Sequence, residues 1–281
     1  MTTIVYYLFA KSIGLYINTL SLFSPKKATQ IARSYLTQPR VGKLTPTNLP
    51  SILKTATTEN FTYDDHSFPV YIWKGNENAI LLVHGWESNS SRWENLLPHL
   101  QKSGSTIIAI DAPAHGLSSG IEFSIPQYAE FISKTVEKYQ PKYLIGHSVG
   151  GKTCVYYQSH YSNNCVQKIV VLGAPSDFKV IFENFINLLS LNQLIYKGLE
   201  QQYIDYYKQQ IEDFSARKFA KKIMIPALIA HDEEDTVVSI EEGKKLAEAW
   251  KDSKFISTKG LGHSMHDDQL YKQVTDFLFL N

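Results

Sequence analysis

From residue 79 onward, short continuous apolar runs alternate with stretches whose apolar residues recur at helical spacing. The runs are AILLVHG (79–85), TIIAIDAPAHG (106–116), KYLIGHS (142–148), KIVVLGAP (168–175), IPALIAHD (225–232) and KFISTKGLGH (254–263). Each holds apolar or β-branched residues nearly in succession and is ended by Gly, Asp or His. Apolar character without in-out alternation predicts strands covered on both faces, as in a parallel sheet. Residues 90–103, 125–139, 149–162, 241–251 and 267–279 predict the intervening helices. This alternation predicts βαβ units and a three-layer α/β domain. FTYDDHSFPVYIWKG (61–75) predicts a leading antiparallel hairpin.

Two segments depart from the alternation. Residues 176–222 hold no strand pattern; Phe178, Ile181, Phe182, Phe185, Ile186, Leu188 and Leu189 recur at helical spacing. They predict a helical insertion placed to cap the carboxyl ends of the strands, where open α/β sheets bind ligands. Residues 1–60 read as helices and loops punctuated by Pro25, Pro39, Pro46 and Pro50. The expected organisation is a helical extension (1–60) packing on the core of a domain spanning 61–281. Within the extension, residues 4–23 are strongly apolar. On a helical projection Lys11, Gly14, Asn18 and Ser21 gather on one narrow stripe and the rest is apolar. Such a helix lies on something apolar: the protein's own body, a membrane surface touched peripherally with Lys26 and Lys27 alongside, or, as a third reading, a spanning anchor. The run lacks a basic stretch before it and a small-residue cleavage site after it, unlike a secretory signal.

Composition narrows the classes. The chain has 281 residues, 43% of them hydrophobic and 20% charged, with a net charge of +1. That suits a globular protein with a sizeable core and gives no single-signed field that would recruit a nucleic acid. Two cysteines, Cys154 and Cys165, form no disulfide framework and no zinc-spaced cluster. Free thiols in a reducing, cytoplasmic compartment are the expectation.

The chemistry gathers at the run ends. YLIGHSVGGK (143–152) sets Ser148 in G-x-S-x-G between a predicted strand and a predicted helix. Gly146 and Gly150 leave room for a sharp turn that exposes the hydroxyl, and the helix start offers backbone N–H groups to developing negative charge. A serine hydroxyl needs a base to remove its proton. His263, in TKGLGHSMHDD, follows the last apolar run in a glycine-rich loop, with His266 as its nearest rival. A carboxylate must orient that base. HDEEDTVV offers Asp232, Glu233, Glu234 and Asp235. Asp235 is preferred because Val237 and Val238 can fasten its loop inward, with Asp232 as the alternative. The backbone N–H groups of Val149 and of Trp86, in LLVHGWESNSSRW, are the expected oxyanion donors.

HGW, DAPAHGLS, GHSVGG, HDEEDTVV and GLGH stand in the order seen in the α/β-hydrolase fold superfamily. Residues 61–281 resemble its small bacterial branch of serine hydrolases and esterase-like proteins of unassigned substrate. The resemblance implies a mostly parallel central sheet flanked by helices, a helical cap at about 176–222 and a Ser148–Asp235–His263 triad. It makes Asp111 a structural turn residue and His115 positional. The expected function is hydrolysis of a small-molecule carboxylic ester, with a short to medium acyl or aromatic group, through an acyl-serine. An acyltransferase with the same triad and a non-catalytic ligand-binding protein are the alternatives. The mechanism requires no metal and no organic cofactor.

Overall fold

The computed structural model describes residues 3–280, without the side chains of Thr3, Ile4 and Tyr6. The side chains of Ile4 and Tyr6, within the apolar N-terminal run, therefore lie outside the described residues. Eight strands form one sheet: β1 (Thr57–Tyr63), β2 (His66–Trp73), β3 (Asn76–Val83), β4 (Ser105–Ile110), β5 (Tyr143–His147), β6 (Lys168–Leu172), β7 (Ala227–Asp232) and β8 (Ser253–Thr258). Their order is β1-β2-β4-β3-β5-β6-β7-β8. The leading hairpin is antiparallel, β2 joins β4 antiparallel, and all later pairings are parallel. The continuous apolar runs are central strands: every residue of β7 is buried, as are the last five of β3. The edge strands β1 and β8 contain exposed positions.

The helices are α1 (Thr3–Ser21), α2 (Pro25–Thr37), α3 (Ser51–Lys54), α4 (Leu97–Gln101), α5 (Ile125–Tyr139), α6 (Val149–His160), α7 (Phe178–Leu189), α8 (Gln193–Tyr207), α9 (Ala216–Ala220), α10 (Ile240–Ala249) and α11 (Asp268–Phe279). The helix expected at 90–103 is split. A 3-10 turn over Ser90–Glu94 is capped by the Asn89 side chain, and α4 restarts with Pro98 in its first turn. Proline has no N–H to give and its ring clashes with the carbonyl four residues back, so the helix begins anew there.

The chain divides into two compact units, one of residues 1–38 with 177–215 and one of 39–176 with 216–281. The second carries the sheet, and β3, β4, β5, β6 and β7 form its centre through Leu82, Ala109, Ile145, Val170 and Leu228. The first is helical. Residues 1–38 share a core with the inserted helices: Ala10 and Ile17 of α1, Ala28 and Ala32 of α2, Phe182, Ile186 and Leu189 of α7, and Ile195 and Leu199 of α8. The ends of the insertion are tied together, with Asp177 and Ser215 bridged as a strand pair and the Ser215 hydroxyl donating to Asp177 Oδ1 at 2.5 Å.

Within this unit α1 turns part of its apolar side and most of its polar stripe inward: Ala10 and Ile17 are in the core, with Ile13 and Leu20 packed against it. Gly14 and Ser21 are buried, Lys11 Nζ donates to the Asn187 carbonyl at 2.8 Å and the Ser190 hydroxyl at 2.7 Å, and Asn18 Nδ2 donates to the Ser190 carbonyl at 2.8 Å. The polar stripe serves the carbonyls where α7 ends, and the Lys11 cation also suits the negative end of that helix.

Gly14 sets how close α1 comes. A methyl group there would fall 1.6 Å from the Leu189 carbonyl oxygen. Gly14→Ala is expected to force α1 off α7 at a cost of about 1–3 kcal/mol. Hydrogen exchange should show lost protection in residues 3–21 and 178–189 while the strands stay protected; unchanged exchange in α1 would refute this packing.

Candidate active site

Ser148 sits between β5 and α6 with φ 54° and ψ −128°. This region is sterically costly for a residue with a Cβ, by about 1–3 kcal/mol, and persists only where the surroundings enforce it. They do so here. The Ser148 N–H donates to the Leu172 carbonyl of β6 at 2.8 Å. Behind the serine, a Cβ on Gly150 would lie 2.3 Å from the carbonyl oxygens of both Val83 and His84, so α6 can start against the end of β3 only with glycine there. From the other side, a Cβ on Gly85 would come 2.8 Å from the Ser148 Cβ. The turn after β3 and the serine turn therefore meet backbone to backbone. Trp86 follows Gly85 in that turn, and Val149 is the first residue of α6.

The serine, one imidazole and one carboxylate lie in a hydrogen-bonded line. His263 Nε2 is 3.0 Å from Ser148 Oγ, and its Nδ1 is 2.7 Å from Asp235 Oδ2. A carboxylate only accepts, so Nδ1 carries the proton and Nε2 is free to accept from the serine. The loop that delivers His263 is short of packing of its own. Gly260 and Gly262 have φ of +84° and +58°, and a Cβ on either would meet nothing within 4 Å. Side chains from elsewhere in the unit hold it. His147 Nε2 donates to the His263 carbonyl at 2.7 Å, Arg92 Nη2 donates to the Ser264 carbonyl at 2.9 Å, and the Leu261 N–H donates to Asp232 Oδ2 at 3.0 Å.

The two candidate acids do different things. Asp235 Oδ1 accepts from the N–H groups of Val237 and Val238 at 2.8 and 2.9 Å, which closes its loop, and its Oδ2 faces His263. His231 Nε2 also lies 3.3 Å from that Oδ2 and 2.9 Å from the Val238 carbonyl. Burial works against the charge of Asp235, but hydrogen bonds from His231, His263 and Val238 outweigh it and hold the carboxyl well below the usual range. Asp232 takes the Glu234 N–H at 3.0 Å, the Thr258 hydroxyl at 2.8 Å and the Leu261 N–H. It joins the loops after β7 and β8 and is not the partner of His263. His266 is bonded to the Tyr271 hydroxyl, not to the serine.

A buried polar framework stands behind this line. Asp111 accepts from the Ser90 N–H and hydroxyl, the Leu117 N–H and the Tyr71 hydroxyl, at 2.7–3.1 Å, although burial still raises its pKa. His84 donates through Nδ1 to the Gly85 carbonyl at 2.8 Å and accepts the Ala112 N–H at Nε2, 2.9 Å. His115 donates to the Pro113 carbonyl at 2.8 Å and accepts the Glu87 N–H at 2.9 Å. Burial depresses the pKa of His84 to about 3. Burial, with the neighbouring His84, depresses that of His115 to about 4. Burial and the nearby Arg92 hold His147 well below the ordinary histidine value as well. Each is a neutral imidazole that uses one nitrogen to donate. His147 and Arg92 were not singled out from the sequence; the only signal for His147 is its place at the end of the strand, directly before the serine. Among the described residues no group of three or more His, Cys, Asp or Glu side chains could hold a metal ion.

Comparison with known proteins agrees with this architecture. A protein-family model described as alpha/beta hydrolase fold matches residues 78–199. A bifunctional esterase/perhydrolase from Acinetobacter calcoaceticus is 29% identical over 235 residues, covering 66% of this chain and 85% of that protein. Among solved structures, alpha/beta hydrolase domain-containing protein 10 from mouse superposes with a TM-score of 0.62 at 16% identity, covering 79% of this chain and 98% of its own. A bromoperoxidase from Bacillus anthracis gives 0.61 at 21% identity, covering 79% and 99%. At these identities the structural likenesses establish the fold alone.

The buried histidines set an acid limit on stability. His84 and His115 are neutral when folded and regain an ordinary pKa near 6.5 when unfolded, so the unfolded chain binds more protons below that pH. Their contribution is complete above pH 6.5 and is lost as pH falls towards 4, by about 1.4 kcal/mol per pH unit for each group. Thermal melting at pH 7, 5.5 and 4.5 should show a steep decline. His115→Gln, which can still accept from Glu87, should make the decline shallower by the share of one proton; an equal slope would remove His115 from the linkage.

Proposed function

We propose that this α/β-hydrolase-fold protein, related to esterase-like and haloperoxidase-like hydrolases, is a serine hydrolase that cleaves a small carboxylic ester through an acyl-serine. The observation that carries the reading is the line of Ser148 Oγ, His263 and Asp235, at 3.0 and 2.7 Å. In this mechanism the Ser148 oxygen attacks the ester carbonyl while His263 Nε2 takes its proton. The N–H groups of Trp86 and Val149 receive the charge that develops on the carbonyl oxygen; removing one such donor elsewhere costs about 3 kcal/mol. The imidazolium gives the proton to the leaving alcohol. A water molecule, deprotonated by His263, then attacks the acyl-serine and releases the acid. Asp235 holds the tautomer and offsets the positive charge on the imidazole at each step. Asp232 and His147 act as positioning residues, one through the Leu261 amide and one through the His263 carbonyl.

Trp86, Val149 and Phe123 favour an acyl or aromatic group over a sugar or a phosphate. Trp86 and Phe123 pack ring edge to ring face at 5.6 Å beside the turn after β3. The Acinetobacter calcoaceticus relative, described as an esterase/perhydrolase, supports an acyl group as the one transferred. Both cysteines are free, which fits a reducing compartment such as the cytoplasm.

Wild-type protein should be labelled by a fluorophosphonate and turn over p-nitrophenyl esters of short acids, and Ser148→Ala should do neither. Asp235→Asn should lower kcat by about 10³–10⁴, whereas Asp232→Asn should lower it far less. No labelling and no turnover by the wild type would reject the hydrolase reading, and equal losses at the two aspartates would reject the assignment of Asp235. His147→Phe removes the donor to the His263 carbonyl; it should lower kcat by about 10–100-fold at nearly unchanged KM, and an unaltered kcat would dismiss the clamp.

A further inference from the structure

The inward side of α1 carries Ala10 and Ile17 together with its polar stripe, and its outward side is apolar. Val5, Leu8, Phe9, Leu15 and Tyr16 recur at helical spacing on the exposed side, and Leu22 and Phe23, 75% and 83% exposed, extend the series just beyond the helix. Ser12 and Thr19 fall in the same series, but their hydroxyls donate to the Phe9 and Leu15 carbonyls of the helix itself, at 2.7 and 2.9 Å. Their donors are thereby satisfied without water. The helix cannot roll to hide this face, because Gly14 is seated on the Leu189 carbonyl and Lys11 and Asn18 are bonded to residues 187–190.

Charge indicates what covers it. Residues 1–38, the part of the chain in the same unit as α1 before the insertion, contain four lysines and arginines and no aspartate or glutamate, in a chain whose net charge is only +1. Lys26 and Lys27 are exposed and lie three and four residues after Phe23. Exposed aliphatic and aromatic side chains, two exposed tyrosines (Tyr7 and Tyr16) and adjacent lysines without carboxylates match an apolar boundary lined with negative headgroups. No helix among the described residues is long and apolar enough to cross a membrane. We propose that α1 and the turn after it lie flat on an anionic lipid surface, with Leu8, Phe9, Leu15, Tyr16, Leu22 and Phe23 entering the headgroup boundary and Lys26 and Lys27 paired with headgroup charge.

The test is flotation of the full chain with phosphatidylcholine vesicles, with or without about a third phosphatidylglycerol. Wild-type protein should float with the anionic vesicles, less at high salt, and little with phosphatidylcholine alone. Leu15→Glu/Phe23→Glu should lower the bound fraction at least about tenfold. Lys26→Glu/Lys27→Glu should weaken binding to anionic vesicles and remove its salt dependence. All these side chains point outward, so both variants should keep the wild-type melting curve and fluorophosphonate labelling. If Leu15→Glu/Phe23→Glu fails to fold, Leu8→Ser/Leu22→Ser replaces it with the same expectation. Absence of flotation by the wild type, or equal flotation of wild type and the apolar-face variants, overturns the proposal. A dimer seen by light scattering, dissolved by the same substitutions and accompanied by no flotation, assigns the face to a second copy of the chain and overturns it as well.

Discussion

The buried carboxylate of Asp235 is the interaction on which the site depends. Its charge leaves water at a cost of several kcal/mol, which is tolerated only when every lone pair finds a donor. Here one oxygen closes the loop after β7 through Val237 and Val238, and the other meets His263 with His231 close by. Hydrogen bonds to a charged acceptor contribute about 1.5–3 kcal/mol each, so two amides and an imidazole can offset the desolvation. The consequence is geometric as much as energetic. The same atoms that make the charge bearable fix the imidazole's tautomer and aim its second nitrogen at Ser148.

The surrounding histidines show how one imidazole can be kept available while others serve as structure. His84, His115 and His147 are buried, and desolvation holds each in its neutral form. They act as rigid donors to carbonyls at Gly85, Pro113 and His263. His263 differs in keeping part of its side chain exposed and in having a carboxylate on one nitrogen and a hydroxyl on the other. Four similar side chains are thus assigned to two kinds of work by their surroundings.

Much of this was legible in the chain. The central strands could be read because both their faces are covered, leaving uninterrupted apolar runs; the edge strand β8 was found by the motif at its end as much as by its pattern. The serine turn could be read because glycine is obligatory where α6 meets β3. Asp235 could be separated from Asp232 by the two valines that fasten its loop. His147 could not be found, since its task is to hold a backbone carbonyl 116 positions away, and nothing local marks that. The orientation of α1 was illegible for a related reason. Lys11 and Asn18 look like a solvent-facing stripe until their acceptors are known, and those are carbonyls and a hydroxyl at 187–190.

That orientation is dictated by size. The inward positions of α1 that pack most tightly are Ala10, Gly14, Ile17 and Ser21, mostly small, and the approach at Gly14 leaves no room for even a methyl group. Rolling the helix by half a turn would present Leu8, Leu15 and Tyr16 to the same narrow space and would strand the carbonyls at the end of α7 without Lys11 and Asn18. Burial of apolar area favours the roll by about 25 cal/mol per Å², but overpacking opposes it by about 1–3 kcal/mol, and the hydrogen bonds of Lys11 and Asn18 would be lost. The packing of the helical unit itself therefore keeps the large apolar side chains outside. Their exposure is a property that the fold enforces, and not a shortfall in burial that it failed to correct.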